Sequence, residues 1–150
     1  MAVREALASD IPVLADAWYA MIEECGMLHR PVDPDWRAQL MEAFDRGLSA
    51  GRQRWLVFEA DGALAATGGL FVPRAGASAL AGRSGTIAGV YTFPKYRRKG
   101  FARAILCRLI ELAREGGCHT VRLRASAQGR PLYEHLGFLP GDDMYLPLYK

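Results

Sequence analysis

Four basic side chains in five residues, Lys95, Arg97, Arg98 and Lys99, stand immediately before Gly100. They join an extended apolar run, Thr86 to Thr92, to a strongly helical one, Ile105 to Arg114. A helix start exposes backbone N–H groups without intrahelical partners and carries a partial positive charge. Gly100 and the small Ala102 let a ligand approach that backbone closely. The chemistry indicated is capture of a pyrophosphate or a similar anion. From Gly62 to Ile110 there is no Asp or Glu, while the same stretch holds Arg74, Arg83, Lys95, Arg97, Arg98, Lys99, Arg103 and Arg108. Because the whole chain carries a formal charge of only +3, this positive field is local, and such fields speed encounter with anions. The competing reading is a solvated basic helix face. Glycine at a strand-to-helix crossing favours the phosphate site.

The spacing Arg97-x-x-Gly100-x-Ala102 resembles the pyrophosphate loop of the GNAT superfamily of N-acetyltransferases. Its surroundings resemble the same family. Val90-Tyr91-Thr92-Phe93-Pro94-Lys95-Tyr96 is similar to the family's fourth strand and its exit. Leu123-Arg124-Ala125-Ser126, then Leu132-Tyr133-Glu134-His135-Leu136-Gly137-Phe138, resembles its fifth strand, fourth helix and closing Gly-Phe. The close match runs from about Thr86 to Phe138, and the first half follows the family in element order.

The resemblance implies acetyl-CoA as co-substrate and an amine as acceptor, with no metal. It places the pyrophosphate on Arg97, Arg98, Lys99, Gly100, Phe101, Ala102 and Arg103. The pantetheine arm would lie beside Val90, Tyr91 and Thr92, as an added strand does, with a backbone N–H near Thr92 facing the thioester oxygen. Tyr133, seven residues after Ser126, matches the tyrosine that protonates the departing thiolate. A phenol with a pKa of ~10 suits that task, and the alternative is a core tyrosine with a satisfied hydroxyl. Ser126 either bonds the pantetheine or caps the next helix. No general base stands out. The fourth strand lacks a carboxylate, leaving Glu23, Glu24, His29 and Glu59 as candidates, or a water wire. In the family the acceptor lies against the first two helices, their loop and later loops. Here these supply Trp18, Tyr19, Met21, Met27, His29, Trp36 and Phe71, which suit core packing as well as a pocket. Glu23, Glu24, Asp142 and Asp143 are carboxylates able to meet a cationic amine.

The elements that must position these residues follow from periodicity. Val3 to Leu7 is a short strand. Ser9 or Asp10 caps a helix with Pro12 in its first turn and Leu14, Ala17, Trp18, Met21 and Ile22 at helical spacing, stopped at Gly26. Asp33-Pro34 starts a second helix that ends at Gly51. Trp55 to Ala60 and Ala63 to Val72 form a hairpin about Asp61-Gly62, and a Gly/Ala/Ser-rich loop follows from Pro73 to Ser84. Helix Phe101–Glu115 ends at Gly116-Gly117. A strand Thr120–Ala125, a short helix near Pro131–Leu136 and a final strand Tyr145–Tyr149 complete the order β-α-α-β-β-β-α-β-α-β. The fold class is α/β, a mixed and mostly antiparallel sheet with helices on both faces, as the resemblance also implies.

At 150 residues, 51% of them apolar, the chain is expected to form one domain, 1–150, with a sizeable core. It lacks an apolar run long enough to span a membrane and a signal-peptide pattern at its N-terminus. Cys25, Cys107 and Cys118 are odd in number and widely spaced, which argues against a disulfide framework or a zinc site. Cys107 reads as a small core filler. A cytoplasmic protein is expected, with no membrane or nucleic-acid partner. The modest net charge and the lack of a recognisable nucleic-acid motif weigh against the latter. A homodimer through the last strand is expected. The reading that competes with an N-acetyltransferase is a non-catalytic CoA-binding regulatory module.

Overall fold

A computed structural model describes residues 2–28, 31–73, 80 and 82–148. His29 and most of the loop expected from Pro73 to Ser84 lie outside them. The described elements are β1 (Ala2–Glu5), α1 (Ile11–Glu24), α2 (Trp36–Ser49), β2 (Gln53–Ala60), β3 (Ala63–Phe71), β4 (Ser84–Thr92), α3 (Phe101–Glu115), β5 (Thr120–Arg122) and α4 (Arg130–His135). The strands form one sheet in sequence order, antiparallel throughout except for the parallel pair β4 and β5. A parallel neighbour requires a crossover, and α3 provides it.

Helices α1 and α2 cover one face of the sheet. Leu14, Ala15 and Phe44 pack there with Trp55 and Val57 of β2. Trp55 is the centre of an aromatic cluster, edge-to-face with Phe44 at 4.9 Å and with Trp18 and Phe71 at 5.9 Å, the geometry the ring quadrupoles prefer. Helix α3 covers the other face. Phe101, Ile105, Leu106, Leu109, Leu112 and Ala113 recur at helical spacing and are all buried, each aliphatic side chain contributing about 1.5–3 kcal/mol. Strand β3 between the layers is built of small residues for a steric reason. A Cβ on Gly68 would lie 2.6 Å from Ile105 Cγ2, and one on Gly69 2.8 Å from the Trp55 ring.

Turn chemistry follows the sequence closely. Asp61 (φ 53°) and Gly62 (φ 75°) make the two-residue hairpin turn. Gly26, Gly51 and Gly117 all have positive φ just beyond helix ends.

Several expectations change. Asp10 does not cap α1. Its carboxylate accepts from Arg4 at 2.7 and 3.1 Å and from the Leu7 N–H at 2.7 Å, tying β1 to the turn before α1. Asp33 forms a turn ahead of α2, accepting from the Asp35 N–H at 2.8 Å, and the helix begins at Trp36. Cys107 is exposed rather than a core filler, because α3 turns that position away from the sheet. The fifth strand stops at Arg122, short of Ala125. Residues 145–148 form no strand: Tyr145, Leu146 and Leu148 are 81%, 79% and 90% exposed. Pro147 there lacks a ladder N–H, and Tyr149 lies outside the described residues. No helix among the described residues is long and apolar enough to cross a membrane.

Candidate active site

Strand β4 creates the site by changing partners along its length. Its pairing with β5 covers Ser84–Thr120, Gly85–Val121 and Thr86–Arg122 only. From Ile87 to Thr92 it keeps β3 on one side and has no strand on the other. The fourth and fifth strands therefore splay apart beyond Thr86. A bulge accompanies it. Thr67 pairs with Tyr91 and Gly69 with Ala88, so β4 carries one extra residue there. Gly89 adopts φ +67°, and a Cβ on it would stand 2.5 Å from Trp55 Cη2. The buried Thr67 hydroxyl donates to the Gly89 carbonyl at 2.9 Å and clasps the bulge.

The bulge shifts the side-chain alternation. Ile87 and Val90 both pack toward α3, leaving Tyr91 on the α1 face. There the Tyr91 hydroxyl donates to Glu24 Oε1 at 2.9 Å. Burial, then the bond to Glu24, pushes the Tyr91 phenol above its ordinary pKa. At the end of β4 the Phe93 N–H donates to the Ala65 carbonyl at 3.0 Å. In a trans peptide the Thr92 carbonyl then points the other way, toward the open edge, and with it the Thr92 N–H. Arg97 Nε donates to that carbonyl at 2.9 Å, and Nη2 reaches the Glu24 carboxylate at 2.8 and 3.0 Å. Arg97, expected on the pyrophosphate, is thus committed to the end of β4 and to α1.

Beyond Arg97 the chain turns through two left-handed residues, Arg98 (φ 63°) and Gly100 (φ 81°), and enters α3. Within the described residues, the six successive N–H groups from Arg98 to Arg103 have no hydrogen-bond partner, and Gly100 gives no side-chain cap. A Cβ on Gly100 would meet nothing within 4 Å, so its outer face is open. Arg98, Lys99 and Arg103 flank this concavity without an ion pair to any described residue. Phe101 turns inward and stacks on Phe58 at 4.1 Å, anchoring the first turn. Successive unpaired N–H groups at a helix start, flanked by cations, form an anion cradle.

Tyr133 lies across the splay on α4. Only 9% exposed, its ring packs edge-on to Phe138 at 5.9 Å. Gly129 must lack a side chain, because a Cβ would stand 2.9 Å from Tyr133 Cε2. The Tyr133 hydroxyl makes no hydrogen bond to a described residue. Burial, and secondarily the charge of a Cys25 thiolate, push this phenol above its ordinary pKa. Ser126 accepts from the Gly129 N–H at 3.0 Å within the turn ahead of α4, whose N-cap is Gly129, and its own O–H makes no bond to a described residue.

The carboxylates separate. Glu24 faces Tyr91 and Arg97. Glu59 is paired with Arg4 at 2.7 Å, two strands away from β4. Asp143 approaches Arg122 at 3.4 Å. Among the described residues no cluster of three metal-ligating side chains occurs. Thr67 gave no sequence signal beyond being a polar residue in a run of alanine and glycine.

Comparison with known proteins gives the same picture. The Acetyltransferase (GNAT) family pattern matches residues 15–138. A glucosamine 6-phosphate N-acetyltransferase of Trypanosoma brucei brucei is 41% identical over 54 residues, 36% of this chain; the matched stretch spans only 37% of that relative. Among solved structures, a predicted acetyltransferase of Clostridium acetobutylicum with acetyl-CoA superposes with a TM-score of 0.83 at 27% identity, covering 99% of this chain and 95% of the other. A GCN5-related N-acetyltransferase of Ralstonia eutropha JMP134 superposes with a TM-score of 0.78 at 26% identity, covering 98% and 97%.

Proposed function

The chain belongs to the acetyltransferase (GNAT) family, and we propose that it is an acetyl-CoA-dependent N-acetyltransferase acting on an amine of a small molecule or peptide. The observation that carries this reading is the run of six unpaired N–H groups at the start of α3 beside the open edge of β4. A pyrophosphate fits the first, and an extended chain bearing amides fits the second.

In this reading the N–H groups of Arg98 to Ala102 hold the pyrophosphate, with Lys99 and Arg103 screening its charge. Gly100 leaves room for it, and Phe101 fixes the turn. Val90, Tyr91 and Thr92 offer a strand edge to the pantetheine, and Ser126 donates to it from the opposite side. Arg97 acts one step back by holding the Thr92 peptide. Acetyl-CoA, when bound, supplies an activated acetyl group and a thiol leaving group. The Thr92 N–H donates to the acetyl oxygen as it gains charge; one such donor is worth about 3 kcal/mol in other enzymes. The acceptor ammonium loses one proton before attack and a second as the amide forms. The nitrogen bonds to the acetyl carbon, the carbon–sulfur bond breaks, and Tyr133 protonates the thiolate. The second amine proton restores the phenol, so one proton is released overall. A phenol, with an ordinary pKa of ~10, is protonated at neutral pH, as a donor must be.

A cytoplasmic location and a homodimer belong to the same reading. The exposed apolar residues Leu139, Met144, Tyr145, Leu146 and Leu148 give a second copy something to cover. Light scattering at micromolar concentration should return twice the chain mass. The test of function is calorimetry with CoA followed by thiol release from acetyl-CoA across an amine panel. Binding with release supports the transferase. Binding with no release from any amine supports the CoA-binding regulatory module instead.

A further inference from the structure

Strand β4 reaches its end with one side unsupported. Its bonds to β3 close at the Phe93 N–H, Pro94 has no N–H to continue them, and from Ile87 onward no strand lies on the open side. Strand ends with so few bonds open readily. Yet the Thr92 N–H, which faces the open edge, must hold one direction if it is to stabilise charge on an acetyl oxygen.

Two successive residues of this edge are tied to a single carboxylate on α1. The Tyr91 hydroxyl donates to Glu24 Oε1 at 2.9 Å. The Thr92 carbonyl accepts from Arg97 Nε at 2.9 Å, and the same guanidinium donates through Nη2 to both Glu24 oxygens, at 3.0 and 2.8 Å. That guanidinium also lies 5.5 Å from the centre of the Tyr91 ring, a cation–π contact. The circuit closes through one covalent link, the Tyr91–Thr92 peptide, and this peptide carries the Thr92 N–H. Anchoring the Tyr91 side chain and the Thr92 carbonyl at one point restrains the rigid peptide plane between them. Glu24 is the last residue of α1, whose Leu14 and Ala15 are buried with Trp55 and Val57 of β2, so the anchor is fixed to the sheet.

Stability does not account for the arrangement. The Arg97 and Glu24 side chains are 30% and 39% exposed, and ion pairs in contact with water add little to a fold. Anion capture does not account for it either, because Arg97 commits Nε and Nη2 to Thr92 and Glu24. Resting on the acetyltransferase reading, we propose that Glu24 is a positioning residue: through Arg97 and Tyr91 it fixes the peptide whose N–H polarises the acetyl carbonyl of bound acetyl-CoA. It takes no proton. It acts by keeping the donor aimed where charge develops.

The test uses the whole chain with acetyl-CoA carrying carbon-13 at the acetyl carbonyl, read by difference infrared spectroscopy, and thiol release with the fastest amine of the panel. On binding to wild type the carbonyl band should move below its frequency in buffer, and in Glu24→Gln it should return at least half-way. kcat should fall at least tenfold, by the same factor at every pH. CoA affinity by calorimetry should not fall, and Tm should move by less than about 4 °C. Adding Glu24→Gln to Arg97→Gln should lower kcat no further than Arg97→Gln alone, because both act on one peptide. A folded Glu24→Gln protein with the wild-type carbonyl band or the wild-type kcat would overturn the proposal. So would a loss of CoA affinity in step with kcat, which would make Glu24 a support of the cradle. Disappearance of the acid limb of the kcat–pH profile would make it the general base instead. If no amine is acetylated the acetyltransferase reading falls, while the carbonyl band of bound acetyl-CoA still decides the role of Glu24.

Discussion

Replacing Gly100 by valine separates two effects that a single glycine carries at the start of α3. The first is backbone strain. Gly100 sits at φ 81°, where a branched side chain is rarely found, at a cost of about 1–3 kcal/mol. For a chain of this length each kcal/mol lowers Tm by about 2–4 °C, so a loss of about 2–12 °C is expected. The second effect is on the ligand. Because a Cβ at Gly100 meets nothing within 4 Å, the valine clashes with no part of the protein. Its methyl groups instead occupy the space in front of the six unpaired N–H groups. Losing a single charge-assisted bond to the pyrophosphate costs about 1.5–3 kcal/mol. CoA affinity should therefore fall at least tenfold, since a factor of ten is about 1.4 kcal/mol. Gly117 provides the control. It has φ +80° and also meets nothing within 4 Å, but stands beyond the far end of α3. Gly117→Val should lower Tm by a similar amount and leave CoA affinity unchanged. Calorimetry and thermal melts on the two variants decide the matter. A folded Gly100→Val protein that binds CoA as tightly as Gly117→Val would refute the cradle.

Tyr133→Phe keeps the ring against Gly129 and Phe138 and removes the proton donor; kcat should fall toward the lower part of the ~10²–10⁴-fold range of general acid catalysis, with KM for acetyl-CoA little changed. Turnover within threefold of wild type would make Tyr133 a packing residue. Thr67→Val leaves the Gly89 carbonyl of the bulge without its buried donor, which should destabilise the protein by about 1–3 kcal/mol in urea unfolding and weaken CoA binding as the open edge loosens. Asp10 is held below the usual carboxylate range chiefly by its bonds from Arg4. A lowered folded pKa contributes stability above the unfolded value of about 3.9, lost as pH falls through the folded value. The stability difference between wild type and Asp10→Asn, about 1–3 kcal/mol at pH 7, should therefore shrink as pH drops below about 4. A constant difference down to pH 2 would remove the ion-pair explanation.

The anion cradle could be read in the sequence because its determinants are local. A left-handed glycine at a helix start, the missing caps and the clustered cations are properties of neighbouring residues, and backbone geometry leaves the N–H groups there unpaired. Element order, the hairpin turn at Asp61-Gly62 and the glycine stops of α1, α2 and α3 were fixed by local chemistry in the same way. The last expected strand failed because a strand needs a partner, and periodicity in 145–148 says nothing about whether one is within reach. Pairs distant in sequence were equally hidden. Arg97 reads as one more phosphate ligand until Glu24, 73 residues away, and the Thr92 carbonyl claim its guanidinium. The bulge at Gly89 depends on Trp55 and Thr67, and it alone turns Tyr91 toward α1. Local sequence dictates φ, ψ and the placement of charge. Which side chains meet across the splay was decided by packing between layers, where the contacting residues share no sequence neighbourhood.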